Sequence, residues 1–384
     1  MQRPLALVLW YAAQTGSATL SPWLSSLLSD AGWSTAAVTA ILVTVPIGRL
    51  LGGPLWSWVA DRSSADRILR IAAVSSFVAA GFLALTTTVT AVGAFVAFAI
   101  VAYGVTRSPL FSIMDASTVH WVGERYGRIR AVGSVAFLVV VWLGGYLRPS
   151  WPLAPLWLAV GAIGVGTAVT FALPPLPARA PRRPGWGDVI ELARHRPLVM
   201  LAIISVLQGI ALSSYDQLFA MHIDQLGLPP WVTGTSFALG VLVEIGILYG
   251  GSWLLHRLGR RGVLLLGVAA GVPRFLLTAV TTDAWGLVAI QSFHGLQYGA
   301  FWVAATSAFA AEAPPELRNS TQALLPSAAY GAGPVIGMTL AWAGLQVGGS
   351  LPLHYALVAG VSMVATGLVW RLELSGRALD PTGG

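Results

Sequence analysis

Along this chain, hydrophobic residues come in stretches of twenty or more, broken at intervals by short clusters of Arg, Pro and Gly. Each stretch is long enough to cross the roughly 30 Å hydrocarbon core of a bilayer as a helix. The breaks divide the sequence into twelve predicted spans, at about 4–28, 34–60, 66–88, 90–118, 127–147, 151–174, 197–222, 230–256, 262–282, 284–312, 318–346 and 351–373. The first reads as a spanning helix and not as a removed signal peptide, because no small-residue cleavage site closes it. One long polar segment, "PPLPARAPRRPGWGDVIELARHR" (174–196), separates six spans from six. The expected organisation is a first bundle over 1–174, a linker over 175–196, a second bundle over 197–373 and a tail over 374–384.

Composition agrees. Of 384 residues, 56% are hydrophobic and 10% charged, against about 25% charged in soluble proteins. With no Cys, disulfides and thiolate metal sites are excluded. Every basic residue other than His is Arg, and eighteen of the 22 fall at the termini or in, or within about a turn of, breaks 2–3, 4–5, 6–7, 8–9 and 10–11. The opposite side carries only Arg148, and Arg49, Arg107 and Arg274 lie deep inside spans, away from their ends. The positive-inside asymmetry therefore places both termini and the central loop in the cytoplasm. The net charge of +7 reflects insertion topology and not nucleic-acid binding.

The halves echo one another: "SWVADRSSADR" (57–67) follows span 2 and "SWLLHRLGRRG" (252–262) follows span 8. Such duplication suits a transporter whose two bundles rock about a midplane site. Both turns resemble the signature G-x-x-x-D-R-x-G-R-R of the major facilitator superfamily. Asp61, Arg62 and Arg67 match in the first copy, with Ser57 and Ser64 in place of glycines. In the second, Arg257, Gly259, Arg260 and Arg261 match, and His256 stands where the acid would be. The resemblance covers almost the whole chain. It implies an all-α membrane protein of twelve helices in two pseudo-symmetric bundles, with Asp61, Arg62, His256 and Arg257 as latches at the cytoplasmic helix ends.

Ionisable side chains at membrane depth are costly and mark function by default. At 1.5 Å per residue, Glu244 in span 8, Arg274 in span 9 and His294 in span 10 lie roughly 20, 18 and 15 Å from their entry points. Three helices thus bring acid, base and imidazole to one level. Burial favours a neutral Glu, a nearby Arg favours the carboxylate, and His titrates close to working pH. Proton coupling fits; so does a static Glu–Arg pair fixing spans 8 and 9. In "AIQSFHGLQYGAFW" (289–302), Gln291, His294, Gln297 and Tyr298 fall within about 120° on one helical stripe. That stripe reads either as a cavity wall or as interhelical glue.

Other candidates are less sharply placed. Trp10, Tyr11 and Gln14 form an aromatic–amide group in span 1, suited to a sugar or aromatic ring or to packing. Asp216 lies in the outer third of span 7, as a gate, a ligand for an amine or hydroxyl, or an exposed helix end. Asp115 and Arg107 in span 4 are within plausible pairing reach of Arg130 in span 5, as substrate site or inner gate.

"FALGVLVE" (237–244), Arg274-Phe275, "QSFHGLQYG" (291–299) and "YGRIRAVGSVAF" (126–137) resemble, in order, motifs of the phenylpropionate permease and nucleoside–proton symporter branch. This branch also connects to lactose permease. The resemblance implies import of a small organic solute with protons, Glu244, Arg274 and His294 as the proton-linked cluster and Arg130 as a substrate anchor. Gln297 replaces an acid that lactose permease carries three residues after the span-10 histidine, which leaves Glu244 as the main proton carrier. The expected protein is a monomer of the bacterial inner membrane that binds small-molecule substrate, protons and lipid, with no cofactor and no nucleic acid. An exporter on the same fold is the competing class, although span 5 lacks a glycine–proline antiporter signature. A membrane transferase would need clustered acids for diphosphate chemistry, and a primary pump a phosphate-binding loop; neither pattern occurs.

Overall fold

The computed structural model describes residues 3–60, 64–89, 93–176, 192, 194–314 and 317–374. Asp61 and Arg62, most of the expected linker and the tail beyond 374 lie outside them. The described residues are helical and contain no strand. In the first half, α1 (Arg3–Gly16) and α2 (Leu20–Asp30) make span 1, and α3 (Thr35–Leu42) and α4 (Thr44–Ala60) make span 2. Spans 3 to 6 are α5 (Ala65–Val89), α6 (Gly93–Val122), α7 (Tyr126–Leu147) and α8 (Ala154–Phe171). In the second half, α9 (Arg196–Gln225) is span 7 and α10 (Trp231–Tyr249) most of span 8. Next, α11 (Gly251–Val280) carries the end of span 8 and most of span 9, and α12 (Ala284–Ile290) with α13 (Ser292–Glu312) makes span 10. Span 11 is α14 (Arg318–Pro326), the π-helical turn Ser327–Ala332 and α15 (Gly333–Gln346); span 12 is α16 (Leu351–Arg371).

Among the described residues, ten helical stretches of at least 18 residues are apolar enough to cross a membrane. Spans 1 and 10 complete the twelve, the first cut into two shorter helices and the second carrying the polar stripe. Helix starts follow local chemistry. The side chains of Ser34, Asp283 and Ser350 accept from the backbone N–H of Ala37, Gly286 and Leu353 and so cap three helices.

Several spans expected to be continuous are interrupted. In span 1, Ser17 Oγ donates back to Gln14 O at 2.7 Å beside a 3₁₀ turn, an alternative that Ser offers the backbone. In span 11, Pro326 and Pro334 flank the π-helical turn; each removes a backbone N–H and loosens the regular ladder. Between spans 8 and 9 the chain turns at Gly259, whose φ of 68° is comfortable only without a Cβ.

The chain forms two compact units, Met1–Ala180 with Asp216–Ala238, and Pro181–Tyr215 with Leu239–Gly384. The core of the first is built from Leu7, Leu69, Ala73, Leu110, Met114 and Ile129. That of the second gathers Ile204, Val268, Phe301, Phe309, Leu325 and Val369.

Candidate transport site

In the second unit the polar groups collect around Arg274. This side chain is fully buried on α11, one residue after Pro273. Its Nε donates to Gln291 Oε1 at 3.0 Å and its Nη1 to Gln297 Oε1 at 2.8 Å. The guanidinium lies 4.1 Å from the ring centre of Tyr215 and 5.0 Å from that of Phe275. Burying a cation demands such partners, and a planar guanidinium fits both amide oxygens and ring faces. Gln208 on α9 completes the amide chain, donating to Gln297 O at 3.0 Å and accepting from Gln297 Nε2 at 3.4 Å.

Gln291 sits at the joint between α12 and α13, so the expected single helix over 284–312 is broken at the residue that meets Arg274. The physical reason is that its side chain is engaged twice, accepting from Arg274 while Nε2 donates to Leu287 O at 3.3 Å. His294 follows one turn on. It is buried, 5.1 Å from the Tyr215 ring and 5.8 Å from that of Tyr298, with Nδ1 buried and without a hydrogen-bond partner among the described residues. The Tyr298 hydroxyl bonds that of Tyr330.

Glu244 is half-buried on α10. The helix reaches α13 through glycines: a Cβ at Gly295 would stand 2.5 Å from Glu244 N and 2.6 Å from Gly240 O, and one at Gly240 would stand 2.9 Å from His294 Cδ2. Small residues let the two backbones touch. This places the Glu244 backbone against the residue next to His294. The structure therefore brings Arg274, Gln291, His294 and Gln297 together, with Glu244 on the adjoining helix and Tyr298 one turn further along.

In the first unit the Tyr11 hydroxyl donates to Asp115 Oδ1 at 2.6 Å and lies 3.3 Å from Thr118 Oγ1. Arg130 packs its guanidinium 5.7 Å from the Tyr11 ring centre and 5.3 Å from that of Phe111. Tyr126 meets Tyr11 edge-on at 6.5 Å. Asp115 and Arg130 thus share Tyr11 and form no ion pair with each other. Arg107 takes no part, donating instead to Ser17 Oγ at 2.6 Å and Gln14 O at 2.8 Å. Trp10 is turned into the core, where Nε1 donates to Thr170 Oγ1 at 3.0 Å, so the aromatic group of span 1 presents no open platform. The Gln14 side-chain amide is buried with no hydrogen-bond partner among the described residues.

Asp216 is half-buried in α9 of the first unit. His256 and Arg257 are exposed, with His256 Nδ1 2.7 Å from Ser252 O. Their neighbours reach other spans: Arg260 donates to Ser307 Oγ at 3.0 Å, and Arg261 to Val369 O at 3.2 Å and to Trp370 O. The turn at Gly259 orients this pair toward spans 10 and 12.

Sequence reasoning missed four partners. Gln208 and Tyr215 on span 7, Tyr330 on span 11 and the Asp30–Arg148–Asp224 cluster do not stand out by spacing. A mid-span Gln at 208 was the one visible signal. Arg148 donates to Asp30 Oδ2 at 2.7 Å and Asp224 Oδ1 at 3.2 Å, and Ser26 also bonds Asp224. Burial opposes the Arg148 charge, yet Asp224 and Asp30 outweigh it and hold its pKa above the ordinary value.

Residues 5–351 match the MFS_1 like family. The "Probable 3-phenylpropionic acid transporter" of Escherichia coli (strain K12) is 28% identical over 286 residues, 71% of this chain and 73% of that protein. The "Maltose permease" of Geobacillus stearothermophilus is 26% identical over 341 residues, 86% of this chain and 83% of that one. The crystal structure of the nucleoside transporter NupG superposes with a TM-score of 0.82 at 17% identity, covering 97% of this chain and 99% of that one. That of a D-xylose-proton symporter gives 0.71 at 15% identity, covering 96% and 97%. With the family match spanning nearly its whole length, the chain belongs to the MFS_1 like family and is a multi-pass membrane transporter of the major facilitator fold.

Proposed function

We propose that this transporter imports a small organic solute together with a proton, as a monomer in the bacterial inner membrane with both termini in the cytoplasm. The observation that supports this most is the buried Arg274, bonded to Gln291 and Gln297 beside His294, with the Glu244 helix against the next residue. A carboxylate whose nearby cation is shared with neutral amides changes its proton occupancy when that cation is drawn away or approached. Arrival of solute near Arg274 supplies such a change, and alternating access converts it into coupled movement. Glu244 is the proton carrier in this reading, His294 the relay, and Gln291, Gln297 and Tyr298 cavity ligands.

The solute class that fits best is an aromatic carboxylate. In the first unit, Arg130 between the Tyr11 and Phe111 rings offers a cation in an aromatic setting, with Asp115 held off it by Tyr11. The name of the E. coli relative points the same way. Proteoliposomes containing a pH dye, challenged in turn with arylpropionates, nucleosides and sugars, test both parts. Interior acidification with one solute, lost in Glu244→Gln while exchange persists, supports symport and names the substrate. Pumping by Glu244→Gln at the wild-type level removes Glu244 from the mechanism. Solute movement without any pH change points to a uniporter or an exporter.

A further inference from the structure

We infer that Trp302, Tyr330 and Tyr298 form a subsite in the second unit that takes the planar ring of the solute; this rests on the reading that the chain carries a small organic solute. The rings continue a row that begins at the buried cation. Arg274 faces Tyr215, Tyr215 meets His294, and His294 stacks on Tyr298. From there Tyr298 meets Trp302 at 5.9 Å, and Trp302 stacks on Tyr330 at 5.0 Å with their planes 23° apart. The row runs from full burial at Arg274 and Tyr215 to 36% exposure at Tyr330.

Two independent features set this end of the row apart from ordinary packing between spans 10 and 11. The indole Nε1 of Trp302 is buried with no hydrogen-bond partner among the described residues, an unusual state for an indole that it shares with Trp23, whose ring lies under Arg148, while Trp10 finds an acceptor in Thr170. Tyr330 itself stands on the π-helical turn Ser327–Ala332, an irregularity that re-aims a side chain and recurs at functional sites. A packing contact would need neither. A flat ring entering beside Tyr330 gains a second aromatic face, and an acceptor on that solute satisfies the indole N–H once the rings part.

The test uses the full-length purified protein and two probes that share a carboxylate and chain length, 3-phenylpropionate and 3-cyclohexylpropionate. Apparent affinities come from thermal-shift titration, and uptake from proteoliposomes. Wild type is expected to favour the aromatic probe. Tyr330→Leu is expected to weaken that probe by about 3- to 10-fold, the measured range for an aromatic pair, while the saturated probe changes by less than about twofold. Tyr330→Phe keeps the ring and the preference. Should Tyr330→Leu fail to fold, Trp302→Phe carries the test and is expected to lower the same ratio. An unchanged ratio in the folded variants, or equal weakening of both probes, overturns the subsite while leaving transport intact. Binding and uptake of neither probe by wild type overturns the aromatic-carboxylate reading and the subsite with it.

Discussion

Gln297 accepts a 2.8 Å hydrogen bond from Arg274, three residues after His294, at the place where the lactose permease pattern carries an acid. The buried cation is therefore held here by a neutral amide. Gln297→Leu removes the acceptor and also the donor to Gln208 Oε1, while the bond from Gln208 Nε2 to the backbone carbonyl at 297 remains. The expected loss is about 1–3 kcal/mol, the usual cost of an unsatisfied buried group. Thermal unfolding in detergent checks it, and wild-type stability in this variant would show that the bond contributes nothing.

The contact between α10 and α13 depends on having no side chain at position 295. A Cβ there stands 2.5 Å from a backbone nitrogen, so the helices must separate. Overpacking of this kind costs roughly 1–3 kcal/mol. Gly295→Ala is expected to lower stability by that amount and to abolish coupled uptake by pushing the Glu244 backbone away from α13. Gly246→Ala, on the same helix as Glu244 with nothing within 4 Å, is the matched control and should behave as wild type.

Arg148 holds two carboxylates, with side-chain exposures of 6% for Arg148, 50% for Asp30 and 25% for Asp224. Arg148→Gln leaves both acids close together without their cation. Because Asp30 is half exposed, the loss should fall below the ~3–5 kcal/mol of a fully buried pair. Adding Asp224→Asn should recover part of it, since the repulsion goes with the charge. A double-mutant cycle read by thermal unfolding checks this coupling; strictly additive losses would refute it.

Trp10 and Tyr11 are adjacent in span 1 and engaged differently. Trp10→Phe deletes the bond to Thr170 and part of a fully buried ring, and is expected to cost more than the ~1 kcal/mol of the bond alone while uptake continues. Tyr11→Phe removes the donor that holds Asp115 and frees that carboxylate toward Arg130. Uptake should fall severalfold with little change in stability. Initial-rate uptake measured for both variants decides, and the reverse order would return Trp10 to the binding site.

How far the site was readable depends on the residue. Arg274, Gln291, His294 and Gln297 were legible because a charged or amide side chain within an apolar run has few reasons to be there. Their depth, at a fixed rise per residue, follows from counting alone. Tyr215 and Gln208 were not, since a Tyr beside an Asp and a lone Gln are common in any long helix. Arg148 read only as a topological sign, because its acids lie 118 and 76 residues away. Arg257 drew attention by motif, whereas the hydrogen bonds to spans 10 and 12 beyond the positive-φ Gly259 are made by Arg260 and Arg261.

The helical class and the number of spans are written in the linear chain, for a physical reason. A bilayer tests each segment separately, by length and hydropathy, and charge placement orients it without reference to the rest. What each inward-facing polar group bonds to is a different kind of question. It is answered by rotation about helix axes and by where helices break, as at Gln291 and Ser327–Ala332, and those depend on small residues such as Gly240 and Gly295 meeting across helices. Only the packed tertiary structure decides that Arg274 goes to Gln297, that Trp10 turns into the core, and that Tyr330 closes on Trp302.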